Sequence, residues 1–393
     1  MTAPLKGAWN YPTRILAGPG RIAELAEACR GAGIARPLFV TDKGLENSAI
    51  AARAMEVLHA GGLSPGFYAD IRSNPIEANL DHGLALYRAG GHDGVVAFGG
   101  GSALDVAKLI AFMSGQSRPV WDFEDVGDWW TRADPAGIAP VIAVPTTAGT
   151  GSEVGRAAVL TDGKAGVKKI IFHPKMLPVL VIEDPELTIG LPPHITAWTG
   201  LDAFTHCFEA YCAPGFHPMA DGIALEGMRI VKDYLPRAFA TGGDIEARGQ
   251  MLAAATMGAT AFQKGLGATH SIAHPLGVVY DTPHGLANAV LLPYVMMFNR
   301  PAIEARMPLL GRVLGLSRPD FAGVLDWLLS FRRQLGIPAM LGELQVGLDR
   351  AGEIGIMAEH DPSTGTNPRP AKAADMERIF RAAVTGDLAA ASG

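Results

Sequence analysis

The stretch Val95-Val-Ala-Phe-Gly-Gly-Gly-Ser-Ala-Leu-Asp-Val-Ala-Lys108 decides the fold. Val95 to Phe98 is a short apolar run of the kind that forms a buried strand, and Ala103 to Phe112 has the composition of a good helix. Three glycines and a serine join the two. Strand, tight glycine turn and helix in succession form one step of a parallel sheet, and such sheets bind ligands at the loops that follow their strands. Glycine lets the backbone approach an anion, and a helix N-terminus offers unpaired N–H groups and a favourable dipole, so Gly99, Gly100, Gly101 and Ser102 can cradle a pyrophosphate. Ser102 fits a plain helix N-cap equally well. The spacing matches neither G-x-G-x-x-G nor a P-loop, which disfavours a standard Rossmann unit and a phosphate-transfer ATPase.

Outward from this stretch the pattern repeats. Leu38 to Thr41 and Val141 to Val144 read as further strands, followed by Asp42-Lys43 and by Pro145-Thr146-Thr147 running on to Gly151-Ser152. The carboxylate of Asp42, at a strand end in the first βα unit, can accept hydrogen bonds from an adenine ribose; a capping aspartate fits the same position. Ala157 to Thr161 and Lys169 to Phe172 flank Asp162-Gly163 and suggest a hairpin. After Pro192-Pro193 the apolar residues recur at helical spacing and β-branched clusters become rare. The expected organisation is an α/β domain over 1–190 and an all-helical domain over 191–393.

The chain has 393 residues, 48% hydrophobic and 18% charged, with a formal net charge of -6. Charges of both signs are interspersed, so neither a nucleic acid nor an anionic membrane is an expected partner. Leu286 to Phe298, interrupted by Asn288 and Pro293, is too short to span a bilayer and reads as a buried helix. Met1 to Gly20 lacks the apolar run of a signal peptide, and three cysteines without CxxC spacing argue against a disulfide framework. The expected location is the reducing cytoplasm.

Asp202 and His206 are four apart, so one helix face presents both side chains. That spacing can chelate a metal, and a surface Asp/His ion pair fits it too. His270 and His274 repeat the spacing before Pro275, which marks an expected helix end, and His284 follows in Thr282-Pro-His-Gly285. Imidazoles with a carboxylate suit a first-row divalent ion such as iron or zinc, and three histidines with one aspartate make a tetrahedral shell.

Six ordered motifs together resemble the iron-containing (group III) alcohol dehydrogenase family: Gly99 through Lys108, Pro145 through Glu153, Asp184 through Thr188, Gly200 through His206, His270 through Pro275, and Thr282 through Gly285. Thr366-Asn-Pro-Arg-Pro370 is similar to the family's C-terminal signature. The resemblance implies that Asp202, His206, His270 and His284 hold Fe2+ or Zn2+, and that His274 lies beside the nicotinamide and the reacting carbon. It implies NAD contacts from the glycine turn, Asp105, Thr146 and Thr147, with Asn74 and Lys168 near the cofactor. The implied fold is a dinucleotide-binding α/β domain followed by a helical one, with catalysis in the cleft between them, and dimers or higher homo-oligomers are common in the family.

The implied reaction interconverts a primary alcohol and its aldehyde by hydride transfer, the ion acidifying the alcohol and polarising the aldehyde. Asp42 favours NAD over NADP by repelling a 2′-phosphate, while Lys43 leaves NADP as the alternative. Gln263-Lys264 before His270, with Ser152-Glu-Val-Gly-Arg156, looks like the 4-hydroxybutyrate dehydrogenase branch. Arg156 and Lys264 would then meet the carboxylate of a short ω-hydroxy acid. Ordinary surface or salt-bridged cations, with simple aliphatic alcohols as substrates, are the alternative. A dehydroquinate synthase-like lyase, a cofactor-retaining transhydrogenase and a non-catalytic nucleotide-binding subunit are the rival functions.

Overall fold

A computed structural model describes residues 13–392. The first twelve residues of the expected α/β domain, and Gly393, lie outside the described residues. The chain divides into two compact units at Gly190/Leu191.

The first unit is built on six parallel strands. These are β1 (Arg14–Ala17), β2 (Pro37–Val40), β3 (Gly66–Tyr68), β4 (Gly94–Gly99), β5 (Val141–Pro145) and, after the hairpin β6 (Ala157–Asp162) and β7 (Val167–Phe172), β8 (Leu180–Glu183). Helices α1 (Leu25–Gly31), α2 (Ala49–Ala60), α3 (Glu77–Ala89) and α4 (Gly101–Met113) connect them. The spatial order is β1-β8-β5-β4-β2-β3. Every residue of β2, β4, β5 and β8 is buried, which is why these runs are apolar instead of alternating, except for the buried Glu183 that ends β8. Phe39 and Phe98 pack at 5.0 Å in a core that also holds Ile142, Ile182, Leu25 and Leu58.

From β2 the chain winds outward to β3, then returns to β4 and proceeds the other way to β5. That reversal opens a crevice beyond the carboxyl ends of β2 and β4, the usual ligand position in an open α/β sheet. The residues there are Asp42 and the glycine turn. The hairpin pairs antiparallel from Ala157↔Phe172 to Asp162↔Val167.

Among the described residues of the second unit every regular element is a helix: α5 (Pro193–Cys212), α6 (Pro218–Ala240), α7 (Ile245–Ala261), α8 (Ala268–Val279), α9 (His284–Ile303), α10 (Met307–Val313), α11 (Phe321–Gln334), α12 (Ala351–Glu359) and α13 (Ala373–Thr385). Pro193 occupies the first helical turn of α5, where a missing N–H costs nothing. One expectation fails here: Pro275 does not end its helix, because α8 continues to Val279. The ring removes the hydrogen bond to the Ser271 carbonyl, and burial of Leu276 and Gly277 beyond it outweighs that local cost. No helix of the described residues is long and apolar enough to cross a membrane.

Candidate functional site

Asp202, His206 and Glu209 lie on one face of α5, His270 on α8 and His284 at the start of α9. Helices α9 and α7 approach α5 closely because glycines line those contacts. A Cβ on Gly285 would stand 2.5 Å from the Trp198 carbonyl oxygen, and one on Gly258 would stand 3.0 Å from the Cβ of His206. The Pro-His-Gly motif is therefore a packing requirement that brings His284 to α5.

One ligand atom from each of Asp202, His206, His270 and His284 lies within 4.8 Å of the others. The Nε2 atoms of His206, His270 and His284 stand 4.0, 3.9 and 3.7 Å from Asp202 Oδ1. Those separations are too long for hydrogen bonds and approach the edge of roughly 3.4 Å of a tetrahedron with bonds of about 2.1 Å. Asp202 and His206 are both buried, so the surface ion pair that their spacing also allowed is not what forms.

Two side chains not assigned a site role from the sequence complete this cluster. Buried Glu209 meets His270 Nδ1 through Oε2 at 2.7 Å and accepts from the backbone N–H groups of Gly267 and Thr269 at 3.0 and 2.8 Å. Burial acts to raise its pKa, but the hydrogen bond and charge of His270 and the Thr269 donors outweigh it and hold the carboxyl below its ordinary range. An ionised carboxylate only accepts, so His270 donates from Nδ1. Burial, which lowers the His270 pKa, is outweighed by the hydrogen bond and charge of Glu209 and the charge of Asp202. When the ring is neutral its lone pair is on Nε2, toward Asp202. Asn288, four residues after His284, donates to Asp202 Oδ1 at 2.7 Å, and its Nδ2 is 3.1 Å from Nε2 of both His270 and His284. Converging acceptor atoms, backed by a carboxylate on the far ring nitrogen, form the donor set of a divalent-ion site.

His274 stacks on His284 at 5.3 Å, and its Nδ1 meets Asp361 Oδ2 at 2.7 Å. Burial raises the pKa of Asp361, and the charge and hydrogen bond of His274 with donors from Ser363 bring it below the ordinary value. Nothing local in the sequence marks Asp361. Asn367, inside the C-terminal signature, accepts from the Ala268 N–H at 3.0 Å and so caps α8, whose own N-cap residue Gly267 has no side chain to do it. The signature supports the helix that carries His270 and His274.

In the first unit, Gly99 adopts φ +142, and a Cβ on Gly101 would stand 2.5 Å from Thr150 Oγ1. The N-cap of α4 is Gly100 and no side chain caps it, so Ser102 is not the cap its position allowed; it lies within the first turn. The Gly100 N–H meets the Asp42 carboxylate. Thr146 donates its backbone N–H to Gly99 O at 3.0 Å, and Thr147 lies against Gly100. Asp42 accepts from the Gly44 N–H at 2.9 Å, a local turn, while α2 is capped by Ser48. Burial pushes the Asp42 pKa up against the N–H groups of Gly44, Leu45 and Gly100. Asn74 is held at φ 53 in a segment whose next residues join β6: the Thr161 N–H donates to Pro75 O at 2.8 Å, and Lys168 is the cross-strand partner of Thr161.

Two residues given site roles by the sequence are already engaged within their own unit. Asp105 Oδ1 accepts from Ser152 Oγ at 2.5 Å and Oδ2 from the Val159 N–H at 2.9 Å. Lys264 is buried with its ammonium 2.5 Å from Asp221, which also holds Arg306 at 2.8 Å, so its charge is neutralised within the helical unit. Arg156 differs. Its guanidinium lies 5.5 Å over the ring of Phe172, and among the described residues no carboxylate comes within ion-pair distance. Its charge is felt by Asp125, whose pKa burial raises and Arg156 lowers.

The family model described as iron-containing alcohol dehydrogenase matches residues 12–185, and the C-terminal model of the Fe-containing alcohol dehydrogenase family matches residues 196–384. The chain belongs to the iron-containing alcohol dehydrogenase family. It is 40% identical to 4-hydroxybutyrate dehydrogenase of Cupriavidus necator over 94% of this chain and 98% of that protein. Among solved structures, a 1,3-propanediol oxidoreductase superposes with a TM-score of 0.91 at 33% identity, covering 96% of this chain and 100% of that one. Sulfoacetaldehyde reductase of Bifidobacterium kashiwanohense, in complex with NAD+, superposes with a TM-score of 0.86 at 29% identity over 97% of this chain and 100% of that one. As an iron-type alcohol dehydrogenase the protein is an oxidoreductase of alcohols and aldehydes that uses a nicotinamide cofactor, and not a lyase.

Proposed function

We propose that this iron-type alcohol dehydrogenase interconverts a short ω-hydroxy acid and its semialdehyde, with 4-hydroxybutyrate and succinate semialdehyde as the working pair. The observation that carries this reading is Arg156, a half-buried guanidinium without an ion-pair partner among the described residues. A guanidinium fork suits a carboxylate, and in a partly desolvated setting it discriminates strongly against a neutral chain end. The Cupriavidus necator relative is named for that substrate, and sulfoacetaldehyde is likewise an aldehyde with an anionic tail. Lys264 is no longer part of the proposal, since Asp221 holds it.

In this reading Asp202, His206, His270 and His284 hold Fe2+ or Zn2+, which supplies Lewis acidity toward the alcohol oxygen or aldehyde carbonyl. Glu209 and Asn288 orient the ligands. The glycine turn, Thr146 and Thr147 bind the phosphates of NAD, Asp42 accepts from the adenine ribose, Asn74 and Lys168 lie near the cofactor, and His274, oriented by Asp361, stands beside the reacting carbon. The assembly is a homodimer or larger homo-oligomer in the cytoplasm.

The test compares 4-hydroxybutyrate with 1-butanol, matched in length, on metal-reconstituted enzyme. Arg156→Ala is expected to weaken the acid by about 2 kcal/mol, roughly thirtyfold, relative to the alcohol. Equal losses for both, or a wild-type preference for 1-butanol, would rule the reading out in favour of a simple aliphatic alcohol dehydrogenase.

A further inference from the structure

Lys108 is the most completely buried cation of the α/β unit, 1% exposed, and none of the chemistry above uses it. It stands one turn after Asp105 on α4, the helix that the glycine turn begins. Its ammonium donates to the carbonyls of Ser152 at 2.9 Å, Gly155 at 3.4 Å and Ala157 at 2.5 Å, and lies 3.5 Å from Asp105. Asp105 takes the Ser152 hydroxyl and the Val159 N–H. The carbonyls of Gly155 and Ala157 flank Arg156 on either side. A buried ammonium is costly unless its donors are satisfied, so the helix and the segment 152–159 are held in one geometry.

We propose that Asp105 and Lys108 are positioning residues for Arg156: a buried strut on the cofactor-binding helix that sets where the guanidinium meets the substrate carboxylate. The inference rests on the carboxylate reading of Arg156. Through the strut, the element whose N-terminus faces the nicotinamide cofactor also places the group that selects the substrate. A carboxylate bound by a rigid fork is sensitive to small displacements of that fork, whereas a neutral alkyl end is not.

The experiment measures kcat and KM for 4-hydroxybutyrate and 1-butanol in Asp105→Asn, Arg156→Ala and the double variant. In parallel, binding of butyrate to the enzyme–NADH complex is followed by NADH fluorescence. Asp105→Asn is expected to lower the acid-to-alcohol ratio of kcat/KM by about tenfold, through KM, and to weaken butyrate equally. The double variant is expected to be no less selective than Arg156→Ala, since both changes act through one group. Should Asp105→Asn fold poorly, Ser152→Ala removes only the hydroxyl bond to Asp105 and is expected to shift the ratio in the same direction by a smaller factor. If Arg156→Ala is selective against the acid while the strut variants change both substrates alike, or neither, the strut proposal is wrong and the carboxylate reading stands. If Arg156→Ala is not selective, the carboxylate reading fails and the strut proposal with it.

Discussion

Glu209 Oε2 lies 2.7 Å from His270 Nδ1, and the carboxylate that orients the imidazole also holds the first N–H groups of the helix bearing it. One buried side chain therefore links helix capping to the tautomer of a candidate metal ligand. Glu209→Gln keeps the shape but places an amide donor against N–H groups. It is expected to weaken divalent-metal binding by about 10- to 100-fold, read by chelator competition. Unchanged metal affinity would leave Glu209 as a helix cap only.

The same residue predicts a pH dependence. Its folded pKa is depressed, so its contribution to stability is complete above the unfolded value of about 4.3 and is lost as pH falls through the lower folded value. The difference in unfolding free energy between wild type and Glu209→Gln, in metal-free protein, is expected to shrink in acid, and to shrink again as pH rises through the folded pKa of His270, which the hydrogen bond and charge of Glu209 raise against burial. A difference that grows toward low pH contradicts the assignment.

His284→Ala removes one of four converging ligand atoms and is expected to lower bound metal sharply with loss of turnover, measured by metal analysis beside activity. Full activity without metal in that variant would sink the metal site.

In the proposed function, Asp42 sets cofactor choice; it lies beside the glycine turn, where burial raises its pKa. Wild type is expected to favour NAD, and Asp42→Ala to move the NADP-to-NAD ratio of kcat/KM upward by about tenfold or more, as removal of a charge repulsion predicts. Lys43 is exposed and pairs with Glu46 at 3.3 Å, so it is available to meet a 2′-phosphate in that variant. An NADP preference in wild type would refute the role given to Asp42.

Gly285 and Gly222 make a matched pair. A methyl on Gly285 meets the Trp198 backbone at 2.5 Å, so Gly285→Ala is expected to destabilise by about 1–3 kcal/mol and to loosen the metal site. Gly222, exposed on α6 with nothing within 4 Å, is expected to gain about 0.5–1 kcal/mol as alanine. Thermal unfolding of both variants checks the contrast.

Residues adjacent in the chain carried most of what was readable in advance. The apolar runs of β2, β4 and β5, the glycine turn, the helical second half and the i,i+4 pairs at Asp202/His206 and His270/His274 are local patterns, because backbone periodicity and turn chemistry act over a few residues. Which partner a side chain takes is not local. Asp105 and Lys264 looked available and proved to be engaged by Ser152, Val159 and Asp221, and Pro275 lay inside a helix that packing carried past it. Glu209 and Asn288 stood in plain view near the candidate ligands, yet only the approach of α5, α8 and α9 gives them His270 and Asp202 to hold. Sequence alone thus determined the fold class, the family resemblance and the residue types of the metal set. Tertiary structure decided that Lys264 is neutralised by Asp221, that His270 donates from Nδ1 to Glu209, and that Arg156 has no ion-pair partner among the described residues, since burial and distance depend on segments far apart in the chain.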